Sequence, residues 1–168
     1  MTFQNTGETL KPYVAGRFYP AEAETLRRDI QTYLDEADIA PADKPVLAVL
    51  APHAGYVFSG PTAGYSYKFV KNEAPDTVLI VGLAHQGIEQ ACVFPGAAVE
   101  TPLGGIDVDT ELVSALLEQN GPIHPDSAPF KTEHSVEVNL PFVKHVFPKA
   151  NVAALLITHT DQDLCHRV

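Results

Sequence analysis

The 168-residue chain carries eleven basic and twenty-one acidic side chains, a formal net charge of -10, with 45% hydrophobic and only 19% charged residues. Such a composition suits one compact domain over residues 1–168, and its acidic excess repels nucleic acid and anionic membrane surfaces. Its apolar runs fall short of the roughly 18 residues that span a bilayer. Met1 to Leu10 lacks a basic region followed by an apolar core, and Cys92 and Cys165 form no C-x-x-C pair, so a cytoplasmic protein in a reducing compartment is expected.

Leu26, Ile30, Tyr33 and Leu34 mark one face of an amphipathic helix over Ala21 to Ala37. Val46-Leu-Ala-Val-Leu-Ala51 is almost purely apolar and reads as a buried parallel strand. Ser59-Gly-Pro61 offers a cap and an early proline for a helix reaching about Lys71. Val78-Leu-Ile-Val81 is a second buried strand, at the distance a parallel crossover requires. Two short runs flanking Pro95-Gly96, between Gln90 and Gly105, predict a hairpin beside the main sheet. Asp109 caps a helix over Glu111 to Gln119, which Asn120-Gly121-Pro122 terminates. A helix interrupted by Pro141 follows over Ser135 to Phe147, and Asn151 to Ile157 is a third strand-type run. The expected fold is a three-layer α/β/α sandwich with a mostly parallel central sheet. The closing Asp161 to Val168 reads as the first turn of a helix cut short, so a shortened chain is expected.

His53 and His85 stand just beyond two of the apolar runs. The carboxyl ends of strands form the ligand crevice of an open α/β sheet, so two imidazoles delivered there can share a ligand or metal. The plainer alternative is that each bonds to backbone at a strand end. Glu133, His134 and Glu137 form a polar cluster. On a helix His134 and Glu137 would share a face and supply an acid–base group or a partner orienting a metal-bound imidazole, with His134 ahead of Glu133. Acidic residues offsetting a helix dipole are the alternative. Tyr56, beside the first histidine, can donate to a substrate oxygen or simply pack. Gly55 and Gly60 suit a close chain approach or a positive φ. His159 follows a strand, and Cys92 reads as a small buried hydrophobe. No phosphate-binding glycine loop occurs.

Ala51-Pro-His-Ala-Gly-Tyr56 followed by Phe58-Ser-Gly60 resembles the signature of the Memo family, called AmmeMemoRadiSam system protein B in prokaryotes. In order along the chain, the resemblance also takes in Ala15-Gly-Arg-Phe-Tyr-Pro20, Val81-Gly-Leu-Ala-His85, Thr101-Pro-Leu-Gly104 and Glu133-His-Ser-Val-Glu-Val-Asn-Leu-Pro-Phe142. It implies the fold of class III extradiol dioxygenases, which hold a non-haem iron through two histidines and a carboxylate. By motif, His53 and His85 would be the histidine ligands, with a third ligand, typically a cysteine, from a later part of the fold. Cys165 is not assigned that role. Gly82-Leu-Ala-His85-Gln86 departs from the family's Gly-Pro-Ser-His-His.

The expected function is therefore metal-dependent redox chemistry of the dioxygenase type, with Fe(II) the first metal and Cu or Zn open, and with His134, Glu137 and Tyr56 as catalytic candidates. Zinc-dependent hydrolysis is a further form of the same site. A small molecule or peptide is the expected occupant of the histidine-lined cleft; the alternative function is a non-catalytic binding or scaffold protein that uses the same cleft for a peptide or protein partner. The resemblance also implies radical-SAM and Amme-type protein partners, and an uncovered sheet edge would favour a homodimer.

Overall fold

Leu26, Ile30 and Leu34 recur at helical spacing, and in the computed structural model they form the buried stripe of α1 (Ala23–Glu36). The structure describes residues 4–88, 90–119 and 121–158. The expected reading of Asp161 to Val168, together with His159 and Cys165, lies outside them. Ahead of α1 runs a two-residue strand, β1 (Thr9–Leu10). The helix starts at Glu22, whose carboxylate accepts from the backbone N–H groups of Glu24 and Thr25.

Beside α1 lies α2 (Tyr56–Phe69). A Cβ at Gly60 would come within 2.5 Å of the Tyr33 ring, and one at Gly64 would strike the Tyr33 backbone. The two glycines thus let the helices approach closely, and neither they nor Gly55 has a positive φ. α2 begins earlier than the Ser59-Gly-Pro61 signal suggests. Gly55 is its N-cap and Pro61 lies inside it, while the Ser59 hydroxyl donates to the Ala54 carbonyl at 3.0 Å.

β2 (Thr77–Leu83), β3 (Ala91–Val93), β4 (Ala98–Thr101), β5 (Gly104–Asp107), α3 (Thr110–Glu118), β6 (Ile123–Pro125), α4 (Leu140–Val146) and β7 (Asn151–Ile157) complete the order. The main sheet runs β2-β7-β3-β6. β2 and β7 are parallel over their whole length, from Thr77 opposite Asn151 to Leu83 opposite Ile157. β3 runs antiparallel to β7 and parallel to β6, so the sheet is mixed. A smaller sheet has the order β1-β4-β5. The chain is an α/β protein, as its alternation of apolar runs and helices predicts. Asp109 caps α3 by accepting the Leu112 N–H at 2.8 Å. Pro141 sits in the first turn of α4 after a 3-10 turn over Glu137–Asn139, where its missing N–H costs nothing.

Two expectations are corrected. The hairpin is not centred on Pro95-Gly96: β3 belongs to the main sheet, and the antiparallel hairpin joins β4 to β5 around Thr101 and Gly104. At Gly96 the chain crosses between sheets where a Cβ would meet the Phe94 ring and the Glu8 carbonyl at 2.4 and 2.5 Å. The second correction concerns Val46–Ala51, which forms no strand. Leu47 is fully exposed and Leu50 is 94% exposed. β2 is an edge strand, and no backbone ladder joins it to this run among the described residues. Apolar composition marks a segment fit for a sheet, but the ladder partner makes the strand.

Candidate metal centre

Gly82 brings the end of β2 onto the loop that opens the Glu133 to Phe142 motif. A Cβ there would lie 2.5 Å from Ser135 Oγ and 2.7 Å from Val136 Cγ2. The Ser135 hydroxyl donates to the Leu83 carbonyl at 2.9 Å, fastening the loop to the strand end. This closeness sets Glu133 beneath His85. The carboxylate accepts the His85 backbone N–H at 2.7 Å and lies 2.8 Å from His85 Nδ1. It also accepts the N–H groups of His134 and Ser135 at 2.7 and 2.8 Å. Burial alone would favour the neutral acid, but the N–H groups of Ser135, His85 and His134 and the His85 ring outweigh it and hold the pKa down at about 2. Glu133 is an anion that orients the imidazole beside it.

Three imidazoles gather from three segments. His53 comes from the loop before α2, His85 from the end of β2, and His134 from the loop after Glu133. The ring centres of His85 and His134 are 4.4 Å apart and nearly parallel. His53 lies 5.2 Å from His85 and 6.0 Å from His134. The Phe18 ring packs 4.8 Å from His134, and the Phe18 carbonyl accepts the Tyr56 N–H at 2.7 Å, which ties the N-terminal motif to the loop bearing His53. Burial, with His85 and His53 nearby, lowers the His134 pKa against the opposing pull of Glu133. His134 is therefore neutral near pH 7, the form that offers a lone pair to a metal. His85, Glu133 and His134 place potential ligand atoms within 4.8 Å of one another, a group able to hold a metal ion. Since Glu133 engages Nδ1 of His85, Nε2 is the nitrogen left for a ligand.

The other two catalytic candidates serve the scaffold. Glu137 is buried, accepts the N–H groups of Tyr13 and Val14 at 2.9 and 2.8 Å, and takes the Tyr19 hydroxyl at 2.7 Å. Because the 3-10 turn begins at Glu137 itself, no helix sets it on a common face with His134. Tyr56 is buried and donates its hydroxyl to the Val138 carbonyl at 2.8 Å, so it offers no free hydroxyl to a ligand. Cys92 is buried in β3, and burial pushes its thiol up to about 12. Glu133, ranked behind His134 from sequence, makes the most bonds at the centre. Its signal was its place directly before His134, in a motif matched by a second histidine at the end of an apolar run.

The fold and this centre together define an α/β protein with a histidine-rich group able to hold a metal ion. A family model described as "Memo-like protein" matches residues 11–168, and the chain belongs to the Memo-like family. It is 39% identical over 146 residues to "MEMO1 family protein MK0963" of Methanopyrus kandleri, covering 81% of this chain and 51% of that protein. It is 40% identical over 146 residues to a "MEMO1 family protein" of Ignicoccus hospitalis, with the same coverage. A Caldivirga maquilingensis relative is 32% identical over 173 residues, covering 95% of this chain and 60% of the relative. The chain thus spans about half the length of the curated relatives it matches. Family membership agrees with a fold of the class III extradiol dioxygenase type. None of the described helices is long and apolar enough to cross a membrane.

Proposed function

We propose that His53, His85 and His134 hold a divalent metal ion, with Glu133 as the carboxylate that orients His85. The observation that carries this reading is the convergence of three imidazoles from separate segments, one of them aligned by a buried anion. Such carboxylate–histidine pairs fix the tautomer and raise the basicity of a metal ligand. All-imidazole donors suit iron, copper and zinc alike. Bound iron would supply redox chemistry of the dioxygenase type, whereas bound zinc would supply Lewis-acid activation of water. We favour the first, in keeping with the resemblance to extradiol dioxygenases. The protein's own part is to orient His85 through Glu133 and to keep His134 neutral as a third nitrogen donor.

Elemental analysis of anaerobically purified protein tests this. Near-stoichiometric metal is expected, with loss in a His53→Ala/His85→Ala variant whose circular dichroism matches that of the original. Absence of metal from both, even after reconstitution with Fe(II), Zn(II) and Cu(II), would reject the site. A second reading is a non-catalytic binding protein. It is favoured by the engagement of the Tyr56 hydroxyl and the Glu137 carboxylate in bonds within the fold, which takes two of the five site candidates away from any chemistry. Metal binding without oxygen consumption or hydrolysis would select it.

A further inference from the structure

Arg17 stands in a tightly built turn that leaves its charge unanswered. The N–H groups of Arg17 and Phe18 both donate to the Val14 carbonyl, at 3.0 and 2.9 Å, and that of Gly16 donates to the Tyr19 carbonyl at 2.7 Å. Gly16 permits the turn with a φ of 78°. The guanidinium is fixed twice on Tyr13: Nη2 donates to the Tyr13 carbonyl at 2.9 Å, and Cζ lies 4.6 Å from the centre of the Tyr13 ring. A long side chain held in this way has already given up much of the freedom that anion binding costs. Its other N–H groups make no bond among the described residues, and no carboxylate there pairs with it. The other described arginines, Arg27 and Arg28, have Glu24 and Asp29. In a chain with twenty-one acidic side chains, an ordered arginine without one is set apart from the paired cations of the surface.

The same turn borders the histidines. The Phe18 ring lies 4.8 Å from that of His134, and the Phe18 carbonyl accepts the Tyr56 N–H at 2.7 Å, just past the loop that bears His53. A Cβ at Gly55 would lie 3.4 Å from that carbonyl, so turn and loop are in contact. The Cα atoms of Arg17 and Phe18 are about 3.8 Å apart, and guanidinium and imidazoles therefore flank one stretch of surface. α2 adds positive potential there, since it begins at Tyr56 with no side-chain cap and no acidic residue in its first turn. The nearby anions are spent within the fold, Glu133 on His85, His134 and Ser135, and Glu137 on Tyr13, Val14 and Tyr19.

We infer that Arg17 binds the carboxylate of a small organic acid whose apolar body lies over Phe18, next to the histidines. This rests on the histidines forming a ligand site, as proposed above, and names the class of molecule that site takes. A planar guanidinium matches the two oxygens of a carboxylate. Lys11, the nearest cation along the chain, is paired with Glu100, so a dianionic phosphate would find one open cation where it needs more.

Calorimetric titration of metal-free protein with benzoate and with benzamide, its neutral counterpart, tests this. Benzoate is expected to bind about tenfold or more tighter and to shift the imidazole resonances of His85 and His134. Arg17→Gln, shown to be folded by circular dichroism, should abolish the preference. Arg17→Lys should keep part of it, and Arg28→Gln, on α1, should leave it whole. Equal affinity for the two probes, a preference that survives Arg17→Gln, or benzoate bound without imidazole shifts would each overturn the inference. No preference in the original protein together with a lower urea midpoint in Arg17→Gln would make Arg17 a counter-charge to Glu137, to which the Tyr13 peptide links it. Zn(II) uptake without a benzoate preference would overturn this inference alone, and a benzoate preference without Zn(II) uptake would overturn the metal reading alone.

Discussion

Glu133 and His85 are joined twice, through the backbone N–H of His85 at 2.7 Å and through its Nδ1 at 2.8 Å. One carboxylate thereby fixes both where the residue sits and which way its ring faces. Replacing it with an amide separates orientation from charge. Glu133→Gln is expected to weaken Zn(II) or Co(II) binding by the folded protein about 10–100-fold. Competitive titration against a chromophoric chelator measures this. Unchanged affinity would reduce Glu133 to a loop brace.

Acid should expose the same residue. Glu133 is held at about 2 in the folded protein, against 4.5 for an ordinary glutamate. Its stabilisation is complete above about pH 4.5 and is lost as pH falls towards 2, amounting to on the order of 3 kcal/mol. Urea unfolding of metal-free protein at a series of pH values across that window should show the loss. The Glu133→Gln variant should show a shallower slope, and equal slopes would assign the acid sensitivity elsewhere.

Gly82→Ala places a methyl group 2.5 Å from Ser135 Oγ and 2.7 Å from Val136 Cγ2. The strand end and the Glu133 loop must then part, at a cost of about 1–3 kcal/mol. Metal affinity should fall with stability, because the displaced loop carries both Glu133 and His134. Thermal melts and metal titration on the same sample check the pairing.

Glu137 gives the opposite pattern. Glu137→Ala leaves the buried N–H of Val14 and the hydroxyl of Tyr19 without their acceptor, and should destabilise the fold by about 3 kcal/mol or more. Metal bound per folded molecule should stay unchanged, measured at a temperature where the variant is folded. Loss of metal from folded Glu137→Ala would restore this residue to the centre.

Tyr56→Phe removes one buried hydroxyl bond, to the Val138 carbonyl. The expected change is about 1 kcal/mol in urea unfolding with no effect on metal binding. A larger effect on activity than on stability would return the hydroxyl to the chemistry.

Much of this protein is legible in local pattern. The 3.6-residue spacing of Leu26, Ile30 and Leu34, the Asp109 cap, the proline at 141 and the apolar runs at 78–81 and 151–157 each act within a turn or a strand. Neighbouring residues suffice to set them. The placing of His53 and His85 just after apolar runs was equally visible, and with the motifs around them it pointed to the family and to a shared site.

Tertiary structure alone decided the rest, because it depends on partners far apart in the chain. Nothing near Glu133 or Glu137 reveals that the first meets His85, 48 residues away, and the second meets Tyr19, 118 residues away. Nor does composition show that β3 lies antiparallel to β7, or that residues 46–51, apolar enough for an interior strand, stand open beside β2. Side-chain chemistry and periodicity are properties of the chain; which carboxylate meets which imidazole, and which strand has a neighbour, are properties of long-range packing.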